Sequence, residues 1–455
     1  MTNKNAAEWM FVARILWICA REFGRYISNI LYSSREMCEF VRALAATNIL
    51  FVKLLQASAA RAPSGVPDMV QECIAGMSDQ VPWTAEDIDR DCLTLLKDRV
   101  NLTNISPRPI NAGSISLVFT GQYCSPTGGA RDVVIKIKRR QIREKLDTDI
   151  RHMMFLFWVL RGMARWFAPT WVHTSVEHAT ECVRQNSDLL LDQLDFEKET
   201  GNLIEMRENC SKLDYVIIPE VIAPLLDPDV IIMEFISGKS CAQLVSAAAD
   251  TELIHTYAKQ IVKFGIVSTL MHNIAHGDLH SGNILFSELR GRPAICVLDF
   301  GIMYTLPDEI KSVLTTAVMT IFAADGGDDE NSTDVDENSL NSEIQTILLD
   351  SCIFVYPSAQ EAEIAAIKDT IRPYIRKCIE KSRETKSCVL FDLLFTLANM
   401  KDELQNMNTT LHPSIQHLQL CFTMSCGLTM KLCGDAGYMP VLQEAIRELF
   451  QLDLL

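Results

Sequence analysis

The chain has 455 residues, 42 basic and 58 acidic side chains, a formal net charge of −16 and 48% apolar residues. That length exceeds one ordinary domain and suffices for large buried cores. The acidic balance excludes a nucleic-acid binder, which needs a clustered basic surface, so the basic run at Arg139 and Arg140 reads as a solvated strand end.

Fifteen cysteines are scattered without a C-x-x-C pair or zinc spacing. Several, such as Cys19 and Cys421, sit in apolar runs where a thiol acts as a small hydrophobe. This predicts a reducing, intracellular compartment with mostly buried thiols. Residues 9–20 are apolar but interrupted by Arg14, and Met153–Leu160 is short. Neither run reaches the length needed to cross a bilayer, so a soluble or peripheral protein is expected. Nothing in the sequence sets the oligomeric state.

Helical spacing of Trp9, Val12, Leu16, Cys19, Phe23, Ile27 and Ile30 predicts an amphipathic helix over 7–31. Its stripe packs on the protein or, with Trp9, Arg14 and Arg21, lies against a membrane surface. A second helix is expected over 36–60, broken by Pro63–Pro67, and another over 85–100. Strands begin near 114. Ser114–Thr120 and Val133–Lys138 form a hairpin around the turn Ser125–Gly129. A long helical stretch follows over about 141–205, holding Trp158, Trp166 and Trp171. Strands return at 215–219 and 230–236, and helices dominate from 250. Residues 325–343 are acidic and almost without apolar groups, which predicts a disordered surface loop. An amphipathic helix is expected over 441–455.

The chemistry sits in the second half. Residues 276–283 read H-G-D-L-H-S-G-N, and V-L-D-F-G follows at 297–301. An Asp with an Asn five places on, then a strand ending in Asp-Phe-Gly, is how a kinase-type fold holds nucleotide and metal. Asp278 is the expected base or water-orienting group. Asn283 and Asp299 are the expected oxygen ligands to Mg²⁺, a hard cation. Val133-Val-Ile-Lys136 is a buried-type strand ending in the lysine that holds ATP phosphates, with Lys138 as its competitor on the same face. The partner of Lys136 is sought among Asp192, Asp195 and Glu199, which share a helical face; Glu199 or Asp195 fits. Ala112, Gly113 and Ser114 are the expected phosphate cover, through backbone N–H groups. The adenine hinge falls at Met233–Ile236, with Glu234 and Phe235 at its centre. Leu306-Pro-Asp-Glu starts a helix soon after Gly301, leaving no peptide-binding platform and favouring a small or lipidic acceptor, or ATP hydrolysis alone.

The chain resembles the UbiB-like atypical kinases, linked to coenzyme Q biosynthesis, over about residues 10–450. Phe51-Val-Lys-Leu-Leu-Gln56 stands where the family carries K-x-G-Q, followed by the family-like G-V-P-D and D-Q-V-P-W. The resemblance implies that Lys53 and Gln56 lie on a helix folded over the nucleotide pocket, with Lys53 meeting Asp195 in a regulatory cover. It assigns Glu199 as the partner of Lys136. It also implies lipid or quinone-pathway partners and peripheral membrane contact. The chain departs from the pattern at Leu55, at Gln193 in place of the first acid of E-x-D, and at Gly113 in an otherwise alanine-rich loop.

The fold expected is α+β: two-lobed, protein-kinase-like and largely helical, with an N-terminal helical extension. Residues 1–105 form the extension, 106–236 a lobe with a helical insert at about 141–190, and 237–455 a helical lobe with the catalytic and metal-binding loops. The function expected is that of an ATP- and Mg²⁺-dependent kinase or ATPase. The alternatives are a pseudokinase scaffold and an aminoglycoside- or choline-type phosphotransferase, whose catalytic loop H-G-D-L-H-S-G-N also resembles.

Overall fold

A computed structural model of the protein describes residues 3–28, 33–48, 50–51, 69–70, 73–74, 81, 83–125, 128–167, 176–177, 179–180, 183–184, 187, 190–222, 227–247, 250–325, 337–357, 360–384, 392–393, 396–397 and 400–451. The chain divides into two compact units, Met1–Gly201 with Glu220–Phe235, and Asn202–Pro219 with Ile236–Leu455. The residues expected to form an extension thus fall in the same unit as the hairpin.

The first unit opens with α1 (Asn3–Ser28) and α2 (Ser34–Ala45). The Glu36 carboxylate accepts the Ser33 N–H at 2.8 Å, closing a capping box that starts α2. The expected stripe of α1 is corrected. Phe11, Val12, Ile15 and Ile18 are buried, while Trp9, Leu16, Cys19 and Phe23 are exposed. The helix is apolar nearly all round, so periodicity could not choose its inner face. The choice is made by α4 (Ile142–Phe167), whose Leu146, Met153, Leu156 and Phe157 share a core cluster with Phe11, Val12 and Ile15.

A 3-10 turn at Ala85–Asp87 leads into α3 (Arg90–Val100), whose N-cap Asp89 accepts the Cys92 N–H at 3.0 Å. The sheet comprises β1 (Leu102–Thr103), β2 (Asn111–Ala112), β3 (Ser116–Cys124), β4 (Ala130–Lys138) and, further along the chain, β6 (Val230–Glu234). Its order is β1-β3-β4-β6, with β2 also on β3. Gly128 and Gly129 both take positive φ in the β3–β4 turn, which glycine does without a Cβ clash. Alternation sends Val133, Ile135 and Ile137 to one face, where they join Leu117, Phe119, Val230 and Ile232 in a core. Lys136, out of phase with them, takes the other face.

Helix α4 runs Ile142–Phe167, and α5 runs Phe196–Asn209. The single long stretch expected over 141–205 therefore breaks: Gln193 and Leu194 form a turn and Asp195 precedes α5. Trp158 lies on α4 and is exposed; Trp171 and the Trp166 side chain lie outside the described residues. Strand β5 (Val216–Ile217) is also reassigned. It pairs in parallel with β9 (Arg292–Val297) of the second unit, whereas β6 pairs antiparallel with β4.

The second unit holds α6 (Cys241–Ser246), α7 (Thr251–Ile266), a π turn at Val267–Met271, and β7 (Ala275–His276). The hairpin β8 (Ile284–Leu289) and β9 (Arg292–Val297) follows, then β10 (Met303–Tyr304), paired with β7. Helices α8 (Asp308–Asp325), α9 (Glu337–Leu349) and α10 (Glu361–Glu384) come next, with β11 (Phe354–Val355) between the last two. Helix α11 (Lys401–Asn406), β12 (Thr410–Leu411), α12 (Pro413–Cys433) and α13 (Asp435–Gln451) complete the unit. Residues 337–343, expected in a disordered loop, are helical, and Ile344 on the same helix is fully buried, which joins α9 to the fold. The inner face of α7 meets α12 and α13. Lys259 joins Glu444 at 2.8 Å and Glu448 at 2.6 Å, and Lys263 joins Glu448 at 3.1 Å. Hydrogen bonds to Lys259 and Lys263 hold the Glu448 carboxyl below its usual range against the opposing effect of burial. Among the described residues no helix is long and apolar enough to cross a membrane.

Candidate active site

In the first unit Lys136 stands near the C-terminal end of β4, between Val118 of β3 and Ile231 of β6. Its Nζ lies 2.5 Å from Glu199 Oε1, and both side chains are nearly withdrawn from solvent, at 10% and 2% exposure. Isolated, either charge would be costly in this setting; paired, each solvates the other. Phe196, one turn before Glu199 on α5, places its ring 5.2 Å from the Lys136 ammonium. Lys138 goes elsewhere, to Asp229 Oδ1 at 2.7 Å and the Pro228 carbonyl at 2.8 Å. Helix α5 begins only at Phe196, so Asp192 and Asp195 do not share a helical face with Glu199. Asp195 caps α5 instead, accepting the Lys198 N–H at 2.9 Å. Lys53, Leu55 and Gln56 lie outside the described residues.

The expected phosphate loop offers fewer donors than its sequence promised. The Ala112 N–H donates to Asn111 Oδ1 at 2.7 Å, and the Gly113 N–H to the Ser116 carbonyl at 2.9 Å. The N–H groups of Ser114 and Ile115 have no partner among the described residues. At the expected hinge, the Glu234 N–H donates to the Glu220 carbonyl at 2.8 Å and the Phe235 N–H to the Asp132 carbonyl at 3.2 Å. A nucleobase there would meet carbonyls rather than these two donors.

Arg139 is a correction. Read as a solvated strand end, it is 3% exposed. Its guanidinium donates to the carbonyls of Gly113 at 3.0 Å and Val81 at 3.2 Å and to Asp87 Oδ2 at 3.3 Å. Burial pulls its pKa down and Asp87 opposes this; a guanidinium stays charged regardless.

In the second unit the motif H-G-D-L-H-S-G-N folds into a loop bonded to itself. The Asp278 N–H donates to His276 Nδ1 at 3.2 Å, so Nε2 carries the proton and donates to the Asp299 carbonyl at 2.7 Å. Burial lowers the pKa of His276 against the nearby carboxylates, keeping the ring neutral. Asn283 donates from Nδ2 to the Asp278 carbonyl at 2.9 Å, which leaves Oδ1 as the atom that could hold a cation. Asp299 Oδ1 accepts the Gly301 N–H at 3.0 Å. His280 Nε2 lies 3.8 Å from Asp278 Oδ2, and its Nδ1 accepts the Gly282 N–H at 3.0 Å. Asn202 Nδ2 donates to the Phe300 carbonyl at 2.8 Å. Asn273 fastens Leu306 twice, donating to its carbonyl at 3.0 Å and accepting its N–H at 3.2 Å. Gly277 is required by space: a Cβ there would lie 2.4 Å from the Tyr304 ring.

Thus Lys136 meets Glu199 in one unit, and Asp278, Asn283 and Asp299 share one loop system in the other. Sequence reasoning missed Arg139, Asn202 and Asn273, and gave His276 no role. Only His276 carried a signal, since it leads the motif. Among the described residues no three His, Cys, Asp or Glu side chains gather to hold a metal. An amide and a carboxylate oxygen, completed by substrate phosphates, are what a magnesium-nucleotide site uses.

A buried strand lysine paired with a helix glutamate in one unit, and an Asp/Asn loop with an Asp-Phe-Gly strand end in the other, define a kinase-like α+β protein. The ABC1 atypical kinase-like domain matches residues 94–328, more than half of the chain. The chain belongs to this family of UbiB-like atypical kinases. It is 26% identical over 263 residues to the probable protein kinase UbiB of Vibrio atlanticus (strain LGP32), covering 57% of this chain and 46% of that one. The corresponding protein of Aeromonas salmonicida (strain A449) is 27% identical over 293 residues, with 62% and 50% covered. The chain spans about half the length of these curated relatives. A Mycobacterium tuberculosis protein solved in complex with erythromycin overlaps 91% of this chain and 95% of its own, with 16% identity and a TM-score of 0.44.

Proposed function

We propose that the chain is an ATP-binding, magnesium-dependent atypical kinase or ATPase acting on or with a small or lipidic partner. The observation that carries this reading is the buried Lys136–Glu199 pair. A strand lysine held by a helix carboxylate is how kinases grip the α- and β-phosphates. Asp278 is the base or water-orienting group. Asn283 and Asp299 would hold Mg²⁺, which neutralises phosphate charge when bound. The Ser114 N–H serves the phosphates, and the Glu234–Phe235 carbonyls serve the adenine.

Helix α8 starts at Asp308, soon after Gly301, and Asn273 fastens the link through Leu306. This supports a small or lipidic acceptor over a peptide. Lys53 and Gln56 form the regulatory cover in this reading, with Asp195 as the counter-charge of Lys53. Peripheral membrane contact belongs to the same proposal. Trp9, Met10, Leu16, Trp17 and Phe23 are exposed on α1, and the Arg21 guanidinium lies 5.2 Å from the Trp17 ring centroid. Aromatic and basic side chains together suit an anionic lipid surface. No co-sedimentation with anionic vesicles at low salt removes the membrane part.

Thermal shift of the full chain with Mg-ATP tests the nucleotide site. Asp299→Ala is expected to abolish the magnesium-dependent stabilisation, and Asp278→Ala to keep binding while losing turnover. An Asp299→Ala variant that responds to Mg-ATP like the parent defeats the assignment. Binding by the parent with no turnover under any condition moves the chain to the scaffold reading, which the altered motifs at Leu55 and Gln193 favour.

A further inference from the structure

We propose that Arg139 is a positioning residue for nucleotide phosphates, fixing the Ala112–Ser116 loop so that the Ser114 N–H faces the phosphate chain and tying that loop to Val81–Asp87. The inference rests on the nucleotide reading above and adds a residue to it.

The loop is held by Arg139 at two points. Its guanidinium takes the Gly113 carbonyl at 3.0 Å and its main-chain N–H takes the Ile115 carbonyl at 2.8 Å. A trans peptide points its C=O and the following N–H in opposite directions. Anchoring the Gly113 carbonyl on Arg139 therefore turns the Ser114 N–H to the opposite side, where it has no partner among the described residues. A fixed, unpaired N–H beside small side chains is a ready donor for a phosphate oxygen.

The other end of the guanidinium reaches back along the chain. It donates to the Val81 carbonyl and to Asp87, while the Val81 N–H donates to the Ala112 carbonyl and the Arg140 N–H to the Asp87 carbonyl, both at 2.9 Å. Asp87 Oδ2 also accepts the Thr84 N–H at 2.7 Å. The segment that precedes α3 and the loop that precedes β3 are thus one hydrogen-bonded body with Arg139 at its centre. A planar fork with several fixed donors can bridge these acceptors; an ammonium cannot.

Titration calorimetry on the full chain, with Mg-ATP and with adenosine as a phosphate-free probe, tests this. Arg139→Met is expected to weaken Mg-ATP binding about tenfold, the loss of a charged hydrogen bond, while adenosine affinity stays within about twofold. Arg139→Lys is expected to fall between. Asp87→Asn serves if Arg139→Met does not fold, with a drop of about threefold confined to Mg-ATP. A parent chain that binds no Mg-ATP defeats the underlying nucleotide reading. A parent that binds, with Arg139→Met binding Mg-ATP equally well or losing both ligands alike, overturns the role of Arg139 alone. Unchanged Mg-ATP affinity in Asp87→Asn overturns the link to Val81–Asp87.

Discussion

The two units hold their chemistry by different physical means. In the first, charges do the holding: Lys136 rests on Glu199, and Arg139 on Asp87, all in a largely dry setting. In the second, neutral groups do it: His276, Asn273, Asn283 and Asn202 bond to nearby backbone. A buried ion pair is intolerant of losing one member, because the survivor keeps its desolvation cost. A backbone-bonded loop loses one bond at a time. The first unit therefore has single points of failure, and the second is graded in its response.

The sharpest way to break this contrast is Glu199→Leu. It removes the carboxylate that faces the Lys136 ammonium at 2.5 Å and is expected to cost about 3–5 kcal/mol in urea unfolding, most of it regained in the double variant Lys136→Met/Glu199→Leu. A neutral single variant would show that the charge is not confined after all. Asn273→Gly comes next. Asn273 sits at φ 58°, which glycine adopts freely, so the change removes the two Leu306 bonds without adding strain. Its expected cost is about 1–3 kcal/mol, with faster hydrogen exchange at 302–306.

Acid probes the second unit through His276. Its folded pKa is lowered, so its contribution is complete above the unfolded value near pH 6.5 and is lost as pH falls toward the folded value. Within that window stability is expected to drop by up to about 1.4 kcal/mol per pH unit for this ring, and His276→Gln should flatten the slope. His272 and His417, also lowered by burial, act in the same direction. The smallest effect belongs to Gly113→Ala. The new Cβ would meet only Ser116 atoms, the nearest at 3.6 Å, and the position is free of positive φ. A gain of about 0.4–1 kcal/mol is expected from the reduced freedom of the unfolded chain. A loss would mean that the loop needs conformations open only to glycine.

The sequence alone determined the α+β kinase-like class, the hairpin that carries Lys136, and the loop H-G-D-L-H-S-G-N with its Asp-Phe-Gly strand end. These are local: period-two burial, turn chemistry and short motif spacing are written in neighbouring residues. It could not determine which face of α1 turns inward, because that helix is apolar on several sides and α4 made the choice. The start of α5 at Phe196 was equally hidden, since Asp192, Asp195 and Glu199 satisfy helical spacing whether or not the helix is continuous. Arg139 was read as solvated because its acceptors, Val81, Asp87 and Gly113, lie far from it along the chain. Only the tertiary structure brings those groups within hydrogen-bond reach, and the burial of a guanidinium depends on partners that spacing does not encode.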